Sequence, residues 1–151
     1  MNIKTTFYMK KTIIGMIDRA VDETGKSRTA LIALLMKRVM KDHSRLARAH
    51  QSVRYQGALQ KNCWRRWHIT LCSRDYEQYL DMRKFFKLSV SFLVAYAVEN
   101  HLDDLVDEII NGKQDDNYQY DCYFIVQKSD DSSISWKVVW GLPVNLTELT
   151  I

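Results

Sequence analysis

The feature that most constrains this chain is an internal repeat, because a shift of 62 residues superposes its two halves without a gap. Matched positions keep their apolar or polar character from a short strand to a second helix. The pairs are Phe7 with Ile69, Met9 with Leu71, Ile14 with Tyr76, Ile17 with Tyr79, Ser27 with Ser89, Thr29 with Ser91, Leu31 with Leu93, Ile32 with Val94 and Ala33 with Ala95. A repeat governs the fold of the whole chain, so we expect two similar units.

The first unit is predicted to hold one strand and two helices. Residues 3–9 are rich in β-branched and aromatic side chains, which is typical of a strand. Apolar residues then recur at spacings of three and four as far as Gly25, a residue type that often follows the last turn of a helix. Ser27 is expected to cap a second, longer helix that begins there.

The second unit is predicted to repeat this order. Residues 66–71 indicate a strand, Ser73 is expected to cap the next helix, and Ser89 is expected to cap the helix after it. Between the units, residues 44–65 are basic and contain no Pro, so they could prolong the second helix until Gly57. After the second unit, two β-like runs, 118–127 and 134–140, predict a hairpin whose loop is 128–133.

These elements predict a mainly α-helical α+β fold with short strands. The expected organisation is a first unit at 1–43, a basic connector at 44–64, a second unit at 65–112 and a C-terminal β-hairpin extension at 113–151.

The order of strand, helix, Gly turn and Ser-capped helix resembles the ribbon–helix–helix superfamily, which includes the methionine and Arc repressors. The most specific stretch is residues 25–32, GKSRTALI, which is similar to that family's turn between its two helices. The second copy, residues 87–94, keeps the Ser and the apolar pair but has Lys87 where a Gly would stand. The resemblance covers residues 3–43 and 65–102.

This resemblance implies that two units pair, each giving one strand to an antiparallel ribbon that enters the major groove of DNA. Tandem copies would allow an intramolecular pseudo-dimer, while pairing between two chains stays an alternative. Alternation along the strands then predicts which side chains point outward, toward base edges. That outward set is Lys4, Thr6, Tyr8, Arg66, His68 and Thr70.

The resemblance also implies a second kind of DNA contact. In that family, the first backbone amides of the second helices hold a phosphate, which suits the positive end of a helix dipole. By position, the residues for this role are Ser27, Arg28 and Thr29 in the first copy and Val90 and Ser91 in the second. Ordinary helix capping explains the same serines, and the two roles are compatible.

Charge is distributed unequally along the chain. Residues 1–66 carry 15 lysines and arginines against 4 acidic residues, whereas residues 67–151 carry 7 against 14. The basic half predicts a polyanionic partner such as double-stranded DNA, with attraction between the two halves as the alternative. An odd number of cysteines fits a reducing compartment, and the lack of a long apolar run predicts a cytoplasmic protein without a membrane partner. The DNA binding that the resemblance implies would make this protein nucleoid-associated.

The sequence therefore predicts a bacterial sequence-specific DNA-binding protein, a repressor or a plasmid or phage accessory factor, in which two chains could bind side by side. One alternative is an antitoxin-like interaction module whose C-terminal hairpin binds a protein partner. Another is a helical-hairpin protein without DNA activity. We expect no enzyme, cofactor or metal, because no catalytic constellation or glycine-rich phosphate loop is present, and Cys63, His68 and Cys72 fit no familiar zinc spacing.

Overall fold

The computed structural model describes residues 1–41, 52–57, 61–112 and 123–140. Within these ranges the chain has an α+β fold with four α-helices and two separate two-stranded antiparallel sheets. The elements are β1 (Asn2–Lys10), α1 (Lys11–Thr24), α2 (Arg28–Lys41), a short 3-10 helix (Lys61–Cys63), β2 (Trp64–Cys72), α3 (Ser73–Phe86), α4 (Val90–Ile110), β3 (Tyr123–Ser129) and β4 (Ile134–Trp140). None of the described helices is long and apolar enough to cross a membrane.

The chain forms two compact units, Met1–Gln114 and Asp115–Ile151. The first unit contains β1, β2 and all four helices. In it, α4 packs against both α1 and α2, and the side chains between them form the core. Much of the basic connector expected at 44–64 lies outside the described residues, and so does the start of the hairpin strand expected at 118–127.

Strands β1 and β2 pair in antiparallel fashion within one chain, as the repeat predicts. Both strands are slightly longer than expected, and each runs directly into the helix that follows it. The predicted alternation of faces is confirmed by burial. The buried side chains of the inner face include Phe7, Met9, Trp67, Ile69 and Leu71, with Thr5 half-buried.

The turn between α1 and α2 has the predicted chemistry. Gly25 has a φ of 71°, a left-handed conformation that costs glycine little because it has no Cβ. The backbone N–H of Ala30 donates to the Ser27 hydroxyl at 3.1 Å, which is the expected N-cap bond of α2.

The second copy of this turn keeps its register even though Lys87 replaces glycine. Lys87 adopts φ 53° and ψ 40°, the left-handed conformation that Gly25 adopts in the first copy. The hydroxyl of Ser89 accepts a hydrogen bond from the N–H of Phe92 at 3.2 Å, so the predicted cap of α4 is confirmed. The helix thus ends at the same repeat position with either residue, although a side chain in this conformation costs free energy.

Three sequence expectations about element boundaries are wrong. Ser73 does not cap α3 but is its first residue, because the extended chain at Cys72 leads straight into the helix, and the N–H of Ser73 donates to the Met1 carbonyl at 3.1 Å. Residues 52–57 are not helical, and within them the backbone of Arg54 bonds to the turn before α4. The hairpin loop starts at Asp130 and not at residue 128.

The hairpin of the second unit is shaped by one carboxylate. Asp130 accepts hydrogen bonds from the backbone N–H groups of Ser132 and Ser133, at 3.0 and 2.8 Å. These bonds lower the pKa of the exposed Asp130 carboxyl, since they favour its charged form. The same hydrogen bonds hold the reversal of the chain at residues 130–133, directly after β3 ends at Ser129.

A buried hydroxyl in the core provides a test of the packing. Tyr79 is 1% exposed and its hydroxyl has no hydrogen-bond partner within the described chain. Replacing it with Phe should raise the free energy of unfolding by about 1 kcal/mol, because an unsatisfied buried polar group costs about 1–3 kcal/mol. Urea denaturation near neutral pH checks this, and a less stable variant would contradict it.

The same side chain gives that comparison a pH dependence. Burial raises the pKa of Tyr79 above its usual value of 10.0, so the unfolded chain ionises more readily than the folded chain. Below pH 10 the phenol is neutral in both the folded and the unfolded chain, so pH does not affect stability through this group. Above pH 10 the unfolded chain loses this proton first, and the parent's free energy of unfolding falls. The gap between the Phe variant and the parent should stay constant below pH 10 and widen above it.

Candidate nucleic-acid interface

The outward side chains of β1 and β2 form one exposed polar surface. We call this surface the outer face, and it consists of Lys4, Thr6, Tyr8, Arg66, His68 and Thr70. All six are exposed, so the structure brings together the complete set expected from alternation. At its centre, the Thr6 hydroxyl and the His68 Nδ1 atom are 2.9 Å apart.

The register of the ribbon coincides with the repeat. Thr6 is paired with His68, which is its own equivalent under the 62-residue shift. On either side, Thr5 is paired with Ile69 and Phe7 with Trp67. Under the same shift, Thr5 corresponds to Trp67 and Phe7 to Ile69, so these two pairs are equivalent to each other. The strand pairing is therefore symmetric about the Thr6–His68 pair.

The charge of the ribbon has a single sign. The two strands contain four lysines and arginines and no Asp or Glu. The acidic residues near the C-terminal end of α4 lie far from it, since Glu108 is about 25 Å along the helix from Ser91. Glu108 is also ion-paired with Arg38 of α2, so part of the acidic charge is compensated within the first unit.

One end of the outer face carries an aromatic stack that alternation alone does not predict. Trp64 has the outward position in the strand, yet it is only 5% exposed. The ring of Tyr8 stacks on it with centroids 5.5 Å apart, and the ammonium group of Lys10 lies 5.8 Å from its ring. Tyr8 remains 46% exposed, so it is held in place by Trp64 while still presenting an edge to solvent.

The N-terminus of α2 lies against the outer edge of β2. The Thr29 hydroxyl donates to the Thr70 carbonyl at 2.7 Å, which anchors the helix to the ribbon. Arg28 is half-exposed, bonds to Asp18 at 2.7 Å and lies 5.7 Å from the ring of Trp67. The predicted phosphate-side residues Ser27, Arg28 and Thr29 therefore stand beside the ribbon, although Thr29 uses its side chain within the protein.

The N-terminus of α4 meets the opposite edge of the ribbon at the equivalent place. The hydroxyl of Ser91 accepts a hydrogen bond from the N–H of Tyr8 at 3.4 Å. Ser91 and Tyr8 are the repeat equivalents of Thr29 and Thr70. The helix hydroxyl donates to the strand in the first copy and accepts from the strand in the second. Val90 is buried beside Ser91, which leaves only its backbone for the predicted phosphate contact.

Residues 52–57 form a segment whose contacts the sequence did not predict. The N–H of Arg54 donates to the Lys87 carbonyl at 2.7 Å, and the Arg54 carbonyl accepts from the N–H of Ser89 at 2.8 Å. The amide of Gln56 then donates to the Tyr8 carbonyl at 2.8 Å. This segment therefore joins the turn before α4 to the edge of β1. Bonds of this kind involve backbone groups, so the side-chain pattern of the sequence does not predict them.

The candidate metal ligands are not brought together. His68 points outward at the ribbon centre, while the exposed Cys63 and Cys72 lie at opposite ends of β2. In the described ranges no group of three or more His, Cys, Asp or Glu side chains is arranged to hold a metal ion.

Comparisons of the chain with protein-family models, curated proteins and solved structures found no match.

Proposed function

We propose that this chain is a sequence-specific double-stranded DNA-binding protein, a bacterial repressor or a plasmid or phage accessory factor. In this proposal the β1–β2 ribbon lies in the major groove, and the two halves act as tandem ribbon–helix–helix units in one pseudo-dimer. The observation that carries the proposal is the symmetric register about Thr6 and His68, combined with an exposed polar face that lacks acidic residues.

The dimensions and chemistry of the ribbon support this role. A two-stranded β-ribbon fits the major groove, where base pairs present distinguishable donors and acceptors. The outer face offers a guanidinium at Arg66, hydroxyls at Thr6 and Thr70, an imidazole at His68 and an ammonium at Lys4. Nearby hydrophobic residues are kept on the inner face, so the polar groups can reach base edges without exposing the core.

The flanking helices support the same orientation. Both α2 and α4 begin beside the ribbon, and the positive ends of their dipoles would face the phosphates on either side of the groove. The acidic end of α4 would lie away from the DNA. Because the two strands differ in sequence, one ribbon should prefer a non-palindromic subsite, and two chains bound about one helical turn apart could restore overall symmetry.

The test is selection from a random duplex library with the full chain. We expect a short non-palindromic motif, bound with an affinity that falls linearly with salt on a double-logarithmic plot, as counterion release requires. Binding that is independent of salt, or recovery of no motif at all, would contradict sequence-specific recognition by this ribbon.

A second candidate function is a protein-interaction module of the antitoxin type, and the C-terminal hairpin favours it. Three large apolar side chains of this hairpin, Phe124, Ile125 and Ile134, are at least 37% exposed. Phe124 and Ile125 are adjacent in β3 and therefore point to opposite faces, so each face of the hairpin exposes an apolar side chain that a protein partner could contact. This role and DNA binding are compatible, because they use different units of the chain.

A further inference from the structure

A cavity of about 430 Å³ lies beside the ribbon. Thr6, Tyr8, Val90 and Ser91 line it and also belong to the proposed DNA-binding surface, whereas its other lining residues have no role in the function proposed above. The cavity is open to solvent and is lined by β1, the start of β2, α3, the first turn of α4 and residues 55–57. Five aromatic residues line it: Phe7, Tyr8, Tyr55, Trp64 and Tyr76. Its volume falls within the range of pockets that bind small molecules, and such pockets are commonly lined by aromatic rings with a few polar groups.

The polar groups around this cavity are one cation and several hydroxyls that can donate hydrogen bonds. Arg83 brings a positive charge, donates to the Tyr55 hydroxyl at 2.9 Å and lies 5.8 Å from that ring. Trp64 is 5% exposed and contributes its ring to the wall of the cavity. The described lining residues include no Asp or Glu. Donors and a cation beside aromatic rings are complementary to a flat anion.

We propose that this cavity binds a small aromatic anion, such as an aromatic carboxylate, sulfonate or phosphate. The ring would lie among the tyrosines and Trp64, and the anionic group would face Arg83 and the first turn of α4. A regulatory consequence follows, and this part rests on the proposed function. The anion would occupy the helix N-terminus that a DNA phosphate would otherwise use, so the ligand and the duplex would compete.

The repeat makes this site unique to one side of the ribbon. The equivalents of Trp64, Tyr76 and Arg83 in the first copy are Asn2, Ile14 and Val21. The equivalent of Leu80, which also lines the cavity, is Asp18, whose negative charge is paired with Arg28. The first copy therefore lacks both the aromatic walls and the cation, and we expect one ligand per chain.

The experiment is a fluorescence and calorimetric titration of the full chain with 8-anilinonaphthalene-1-sulfonate, an aromatic sulfonate. We expect saturable binding of one molecule per chain. Arg83→Gln should weaken it about tenfold, the usual scale for losing a charge-assisted hydrogen bond, while Arg83→Lys should restore much of the affinity. Lys84→Gln is the matched control, because it removes the same charge from the neighbouring position of α3 and should leave binding unchanged.

The outcomes separate the two parts of the proposal. Circular dichroism melting first establishes that each variant is folded. Non-saturable binding, or equal affinities for the parent and Arg83→Gln, would overturn the cavity as a binding site. If the dye binds but the selected duplex does not displace it, competition with DNA is wrong. If no duplex binds while the dye still binds with the expected Arg83 dependence, the proposed function fails and the ligand site stands.

Discussion

Replacing Arg66 with alanine is expected to weaken binding to the preferred duplex by about 1–3 kcal/mol, roughly 5- to 150-fold, with a much smaller loss on random DNA. Arg66 is exposed on the outer face and is paired with Tyr8 across the ribbon. A guanidinium at this place can donate two hydrogen bonds to one guanine. Competition binding with the selected duplex and a scrambled duplex of equal length measures this difference.

Arg65 provides the matched control for this prediction. It is the adjacent residue, is also exposed and carries the same charge, but its strand position belongs to the opposite parity and is paired with Met9 of the inner face. Arg65→Ala should therefore reduce affinity for both duplexes alike, through loss of charge near the phosphates. Equal losses on both duplexes for Arg66→Ala and Arg65→Ala would rule out base reading by Arg66.

Replacing Trp67 with alanine is expected to lower the free energy of unfolding by about 3–5 kcal/mol, the usual cost of removing a large buried aromatic side chain. Trp67 is 3% exposed, its ring centroid is 6.3 Å from that of Phe7, and Arg28 lies over it. The substitution removes a central part of the contact between the ribbon and the helices. Urea denaturation followed by circular dichroism measures the loss.

Trp67→Phe separates packing from the polar group of the indole. The Trp67 N–H is buried without a partner in the described part of the chain, so its removal offsets some of the volume lost on replacement by Phe. We expect the Phe variant to lose less than half as much stability as the Ala variant. A loss below 1 kcal/mol for Trp67→Ala would mean that the inner face of the ribbon contributes little to the fold.

The elements that the sequence predicts well are those with a periodic or local cause. Alternation assigned the two faces of β1 and β2 because burial on one face makes the register of a strand specific. The chain reversal at Gly25 and the caps at Ser27 and Ser89 follow from local backbone requirements. Pairing of the two strands was predictable, since each lone strand would leave its backbone groups unpaired, but the sequence left pairing within one chain and between two chains as alternatives.

Other features depend on neighbours that are distant in sequence. Alternation assigns Trp64 to the outer face, but its ring is buried there and lies against Tyr8 and Lys10. The bonds of Arg54 to Lys87 and Ser89 use backbone groups that every sequence has, so composition carries no signal for them. The cavity requires both features together, and it could not be inferred before the fold was known.

The pairing of Thr6 with His68 bears on how the two halves of this chain can change. In an assembly of identical subunits, the residue on the symmetry axis meets its own copy, and every substitution there alters both partners at once. In a single chain with two unlike halves, that position can hold complementary groups, such as the hydroxyl and imidazole found here. Joining the halves thus frees each strand to vary independently, and mutational scans of the ribbon should show different tolerated residues at positions 6 and 68.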